Sequence, residues 1–148
     1  MQFVEVGEEN IAQAGKIHSE SWKASHKGFC SGESVERHTP AAQAEYLRGE
    51  RAAGKSLFML IAKAPVGVVS VYQNQIENLY VLPEEQNKGY GAQLLEYAVR
   101  KCAGEPVLWV LNINEGAHRF YKKHGFQESG KKKPLNASLF ELEMVQIR

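Results

Sequence analysis

Apolar and polar positions recur in distinct rhythms along this chain, and the rhythms predict its elements. Residues 3–6 read as a first strand. Asn10 is placed to cap a helix in which Ile11, Ala14, Ile17, His18 and Trp22 share one face. Thr39-Pro40 predicts a second helix, with proline at its first position, running to about Ala53 and stopping at Gly54. Residues 57–63 and 66–72 are apolar runs around Ala64-Pro65, the shape of a hairpin, and residues 76–82 follow as another strand. Leu94, Leu95, Ala98, Val99 and Cys102 stripe one side of a helix over 92–102, closed by Gly104. Residues 107–111 are apolar without a break, the pattern of a strand buried on both faces. Residues 114–124 predict a short helix ended by Gly125, and 126–128 with 138–147 a final antiparallel pair. Residues 27–33, with two glycines and a serine, read as a loop, and Lys131-Lys132-Lys133 before Pro134 as a solvated turn.

The strand–helix–strand unit from Ile76 to Leu111 implies a parallel pair joined by a right-handed crossover. The fold class is therefore α/β, a mixed sheet flanked by helices. A length of 148 residues suits one domain, 1–148, with one sizeable core. Apolar content of 43% and charged content of 24% are ordinary for a globular protein. A net charge of +1 argues against nucleic-acid or anionic-membrane partners. No apolar run approaches the ~20 residues that span a bilayer. The first residues read as a strand rather than a signal peptide, so the cytoplasm is the expected location. Cys30 and Cys102 form no CxxC pair, and His118 and His124 fit no metal-ligand spacing, so neither a disulfide framework nor a metal is expected.

The chemistry concentrates at Gln86-Asn87-Lys88-Gly89-Tyr90-Gly91, between a strand and an amphipathic helix. Two glycines let backbone approach a ligand closely. The helix start that follows offers unpaired N–H groups and partial positive charge, a seat for a pyrophosphate. A dinucleotide fingerprint is excluded because Leu94 stands where its third glycine belongs, and no P-loop run exists.

What remains, Gln-x-x-Gly-x-Gly after Leu79-Tyr80-Val81-Leu82-Pro83, resembles the acyl-CoA loop of the GNAT superfamily of N-acetyltransferases. A second stretch, Asn114-Glu115-Gly116-Ala117-His118-Arg119-Phe120-Tyr121-Lys122-Lys123-His124-Gly125-Phe126, is similar to the family's Asn-x-x-Ala-x-x-Phe-Tyr-x-x-x-Gly-Phe motif. Together they cover residues 76–126. The resemblance implies a mostly antiparallel central sheet in which one parallel pair splays apart. It also implies that acetyl-CoA, as co-substrate, enters that wedge and gives its acetyl group to a primary amine of a small molecule or peptide.

By the same resemblance, backbone groups of Leu79 and Val81 hold the pantetheine and polarise the thioester carbonyl. Backbone N–H groups of Gln86, Asn87, Lys88, Gly89, Tyr90, Gly91 and Ala92 hold the pyrophosphate. Tyr121 hydrogen-bonds the departing sulfur; outright proton transfer, from ~10 to ~8.5, is uphill by roughly 2 kcal/mol. Asn114 and Ala117 open the helix that carries it, and Asn114 fits a simple cap as well as a pantetheine contact. Glu77 is the candidate base, on the same side of its strand as Leu79 by period two, and Gln75 shares that side. A solvated strand carboxylate describes Glu77 equally well. Trp22, His26 and Phe29 are the candidates for the acceptor wall, with core and surface roles open to the first two. An acyl-CoA-binding regulatory module without turnover is the competing reading. The C-terminal strand 139–147, if exposed, offers an edge for a homodimer.

Overall fold

The structure, a computed structural model, describes residues 1–26 and 37–147, without the His26 side chain. The predicted loop 27–33, with Phe29 and Cys30, lies outside the described residues. The elements are β1 (Gln2–Glu5), α1 (Ile11–His26), α2 (Pro40–Ala52), β2 (Ser56–Ile61), β3 (Pro65–Tyr72) and β4 (Gln75–Val81). A 3-10 turn (Pro83–Glu85), α3 (Tyr90–Lys101), β5 (Val107–Leu111), α4 (Glu115–Lys123), β6 (Phe126–Pro134) and β7 (Phe140–Gln146) complete them. The strands make one sheet in the order β1-β2-β3-β4-β5-β7-β6. Among the described residues only β4 and β5 run parallel, as the crossover requires.

Local chemistry explains most boundaries. Thr39 caps α2 by accepting the Ala42 N–H at 3.1 Å, and Gly54 follows the helix at φ +95°. Asn10 sits where a cap belongs but bonds backwards. Its side chain accepts from Gly7 N–H at 2.8 Å and donates to Glu5 C=O at 3.2 Å, pinning the turn between β1 and α1. Helix α3 starts at Tyr90, two residues before the pattern suggested, because Gly89 at φ +86° already ends the loop. It stops at Lys101, where Cys102 turns extended, so Gly104 is not its terminator.

Two apolar layers sandwich the centre of the sheet. Under α3, Leu94, Leu95 and Ala98 pack with Leu60, Val69, Leu108, Val110 and Met144. Under α1 and α2, Ile11, Ala14, Ile17 and Leu47 pack with Leu57, Met59 and Val68. That second layer ends at β4. Strand β5 is therefore buried only through Leu108 and Val110; Val107, Trp109 and Leu111 are half-buried, which corrects the expectation of burial on both faces.

The C-terminal region departs furthest from its pattern. Strand β6 runs on to Pro134, with a register shift between Glu128 and Lys132 and Gly130 at φ +97°. The three lysines lie in this strand rather than in a turn. Strand β7 pairs with β5 on one side and β6 on the other, so it presents no free edge for a second copy; β6 is the outer strand. Among the described residues no helix is long and apolar enough to cross a membrane.

Candidate active site

Strands β4 and β5 pair at one position, Gln75 with Val107, and part beyond it. The parting coincides with a bulge. Val68 pairs with Tyr80 but Ser70 with Glu77, so Asn78 and Leu79 together face Val69, and Asn78 takes φ +51°. The extra residue resets the alternation of faces. Ile76 and Leu79 contribute to the layer under α3, whereas the Asn78 side chain reaches Tyr46 of α2. Glu77, bonded to Lys55, faces the α2 side as well. Glu77 and Leu79, expected on one side by period two, are thus on opposite faces.

The bulge also aims the backbone. Leu82 N–H bonds Val66 C=O at 2.9 Å, so Tyr80 and Leu82 belong to the β3 ladder. By alternation, Leu79 and Val81 turn their N–H groups towards the gap that β5 has left. The Val81 carbonyl is held at 3.2 Å by the Ser21 hydroxyl and at 3.2 Å by the Gln86 amide. Gln86 spends its own N–H on Pro83 C=O, which removes it from the expected cradle as a backbone donor.

From Asn87 onward the donors are free. The first helical bond runs from Gln93 N–H to Gly89 C=O, and the N–H groups of residues 87–92 bond to nothing among the described residues. Asn87 at φ +64° and Gly89 at φ +86° bend this run round the start of α3, whose first turn holds no acidic residue. The result is a concave set of donors at the positive end of a helix. A Cβ on Gly91 would face inwards, 3.5 Å from the Phe120 ring of α4, an ordinary contact.

The wedge opens into a cavity of about 510 Å³, which Gln86 borders at the start of the loop. Leu79, Val81, Asn114, Ala117 and Tyr121 line one side of it. Asn114 caps α4 by accepting the Ala117 N–H at 3.1 Å. Tyr121 packs its ring on Phe120 and Phe126, and burial pushes its hydroxyl up to about 12. That hydroxyl has no hydrogen-bond partner among the described residues. With a thiol near ~8.5, giving up the proton is uphill by roughly 5 kcal/mol, so Tyr121 is built to donate a hydrogen bond.

The opposite side is lined by Ser21, Ser25, Tyr46, Glu77, Asn78, Trp109, Lys133 and Glu141. Both Glu77 oxygens bond Lys55 Nζ, at 2.8 and 2.9 Å, and Lys55 reaches Glu50 at 2.9 Å. Burial works against the Lys55 ammonium, yet the two carboxylates outweigh it and its proton affinity rises. Tyr46 donates to Glu50 at 3.0 Å and accepts from Asn78 at 3.3 Å, tying the bulge to α2. Trp22 does not reach the cavity; it stacks on His38 with ring centroids 3.4 Å apart. Tyr46, Asn78, Trp109, Lys133 and Glu141 carried no motif signal, and the unbroken apolar run of β5 gave no sign that Trp109 lines a cavity.

His18 stands behind this wall. Its Nδ1–H donates to Gln43 Oε1 at 2.6 Å, its Nε2 is buried without a partner, and its ring meets Tyr80 edge-on at 4.8 Å. Burial lowers its proton affinity. The folded state therefore resists the charged ring: the stabilising difference is full above the unfolded value of ~6.5 and is lost as pH falls below it. The thermal midpoint is expected to fall less steeply in His18→Gln than in the wild type between about pH 7 and 5; equal slopes would show that His18 does not carry this effect.

The chain belongs to the acetyltransferase (GNAT) domain family, which residues 54–128 match. Solved structures with the same fold include the PaiA N-acetyltransferase of Thermoplasma acidophilum in complex with coenzyme A, 23% identical over 96% of each chain with a TM-score of 0.70. A GCN5-related N-acetyltransferase of Rhodopseudomonas palustris is 20% identical, covering 99% of this chain and 95% of its own, with a TM-score of 0.75. YncA of Salmonella typhimurium, solved with acetyl-CoA, is 16% identical over 98% and 92%, with a TM-score of 0.70.

Proposed function

We propose that the protein transfers acetyl from acetyl-CoA directly to a primary amine of a small molecule or peptide. The observation that carries this reading is the run of free N–H donors at residues 87–92 beside parted strands. Coenzyme A supplies an activated thioester, and this chain's groups match its parts in order. The donors of residues 87–92 hold the diphosphate. The N–H groups of Leu79 and Val81 meet the carbonyl oxygen as negative charge develops on it. The Tyr121 hydroxyl donates to the departing sulfur. Glu77, on the far face, receives the proton of the attacking amine, directly or through water. The two neighbours solved with coenzyme A and acetyl-CoA support the choice of donor.

A lysine-like amine, near ~10.4, needs a base more than an α-amino group near ~7.7–8.0. Glu77→Gln is therefore expected to lower kcat for the former by roughly tenfold to a hundredfold and for the latter much less. Steady-state thiol release measures both; an unchanged kcat for both removes Glu77 from the chemistry. The involvement of both Glu77 oxygens with Lys55 favours a second reading, an acyl-CoA-binding module without turnover. A panel of amines with acetyl-CoA, read by free thiol, decides between them. Tight coenzyme A binding with no thiol release from any amine selects the module.

A further inference from the structure

The β5 side of the cavity carries charges that acetyl transfer alone leaves unused. Leu108, Val110 and Met144 are buried towards α3, so Trp109 and Glu141 turn to the opposite face, the one Glu77 shares. Lys133 pairs with Glu141 across β6 and β7 and lies on that face too. Its ammonium forms no ion pair with the described residues. Instead Nζ stands 4.1 Å from the centroid of the Trp109 ring, so the side chain leans back across β7 to β5. An indole face orients a cation without neutralising it. Lys55, the other ammonium near the wedge, is spent between Glu50 and Glu77. A carboxylate on β4 thus faces an ammonium over β5 that no ion pair occupies, with Glu141 beside it.

We propose that the acceptor is a small amino carboxylate, its anionic group read by Lys133 on Trp109 while its amine faces Glu77. This rests on the acetyl-transfer reading and narrows its substrate class. Glu141 is half-buried on the same wall, also without an ion pair among the described residues, and it repels an anion. Its removal must act opposite to removal of Lys133, which gives the proposal a sign to test.

Coenzyme A-loaded protein is titrated with N-acetylglycine, N-acetyl-β-alanine and N-acetyl-γ-aminobutyrate, and with the amide of each. Binding is followed by the Trp109 indole N–H signal of isotope-labelled protein, assigned with Trp109→Phe and referenced to Trp22. At least one carboxylate is expected to bind roughly tenfold more tightly than its amide. Lys133→Gln should bring that ratio to about one, and Glu141→Gln should raise it. The proposal is overturned if every amide binds as well as its acid, if the ratio survives Lys133→Gln, or if Glu141→Gln weakens the acid. The two readings fail separately. A carboxylate preference without thiol release from any amine sinks acetyl transfer and keeps the recognition; thiol release without the preference does the reverse.

Discussion

Gly91→Val is expected to weaken coenzyme A binding at least tenfold, about 1.4 kcal/mol, while Gly91→Ala stays near the wild type. A Cβ at this position meets Phe120 at 3.5 Å and Val81 at 4.0 Å, ordinary contacts that alanine fits. Valine adds two γ-carbons beyond that Cβ, next to Phe120 and Val81, so the first turn of α3 is expected to shift and carry its N–H groups with it. Gly89→Val should cost as much for a different reason. Nothing lies within 4 Å of its Cβ, but φ of +86° strains a β-branched residue, and the loop relaxes by turning its donors aside. Calorimetric titration with coenzyme A reads all three variants. Wild-type affinity in both valine variants would move the diphosphate away from residues 87–92.

Tyr121→Phe is expected to lower kcat roughly a hundredfold and to leave KM for acetyl-CoA within about threefold. The ring remains to pack against Phe120 and Phe126, so only the hydroxyl, the proposed donor to the sulfur, is lost. Because burial holds the hydroxyl at about 12, it stays protonated, and able to donate, to about pH 11. No alkaline fall of kcat below that point should trace to Tyr121. Wild-type kcat in the phenylalanine variant would leave the thiolate unsupported by this residue and favour binding without turnover.

Much of this architecture could be read along the chain, because the signals are local. Thr39-Pro40 and Gly54 bound a helix by capping and backbone freedom, which depend on a few neighbours only. The loop at residues 86–91 and the Tyr121 helix carry spacings that any copy of the motif must keep. Period two sets Glu77 beside Leu79 because it assumes an unbroken strand, and the extra residue at Asn78 leaves no mark in hydropathy. The lysines of β6 looked like a turn because an outer strand is held by backbone pairing to β7 and buries almost nothing. The order β5-β7-β6 hid for a related reason: which strand enters between two others depends on long-range pairing.

The chain's own pattern determined the elements, the crossover that makes β4 and β5 parallel, and the donor-rich turn before α3, since each follows from neighbours a few residues apart. Tertiary structure alone decided which groups meet. The bulge at Asn78, held by Tyr46 of α2, splits Glu77 from Leu79 and turns two N–H groups towards the gap that β5 leaves. That side of the cavity joins α1, β4, α2, β5, β6 and β7, segments far apart in sequence, and such convergence is set by packing that no local rhythm encodes.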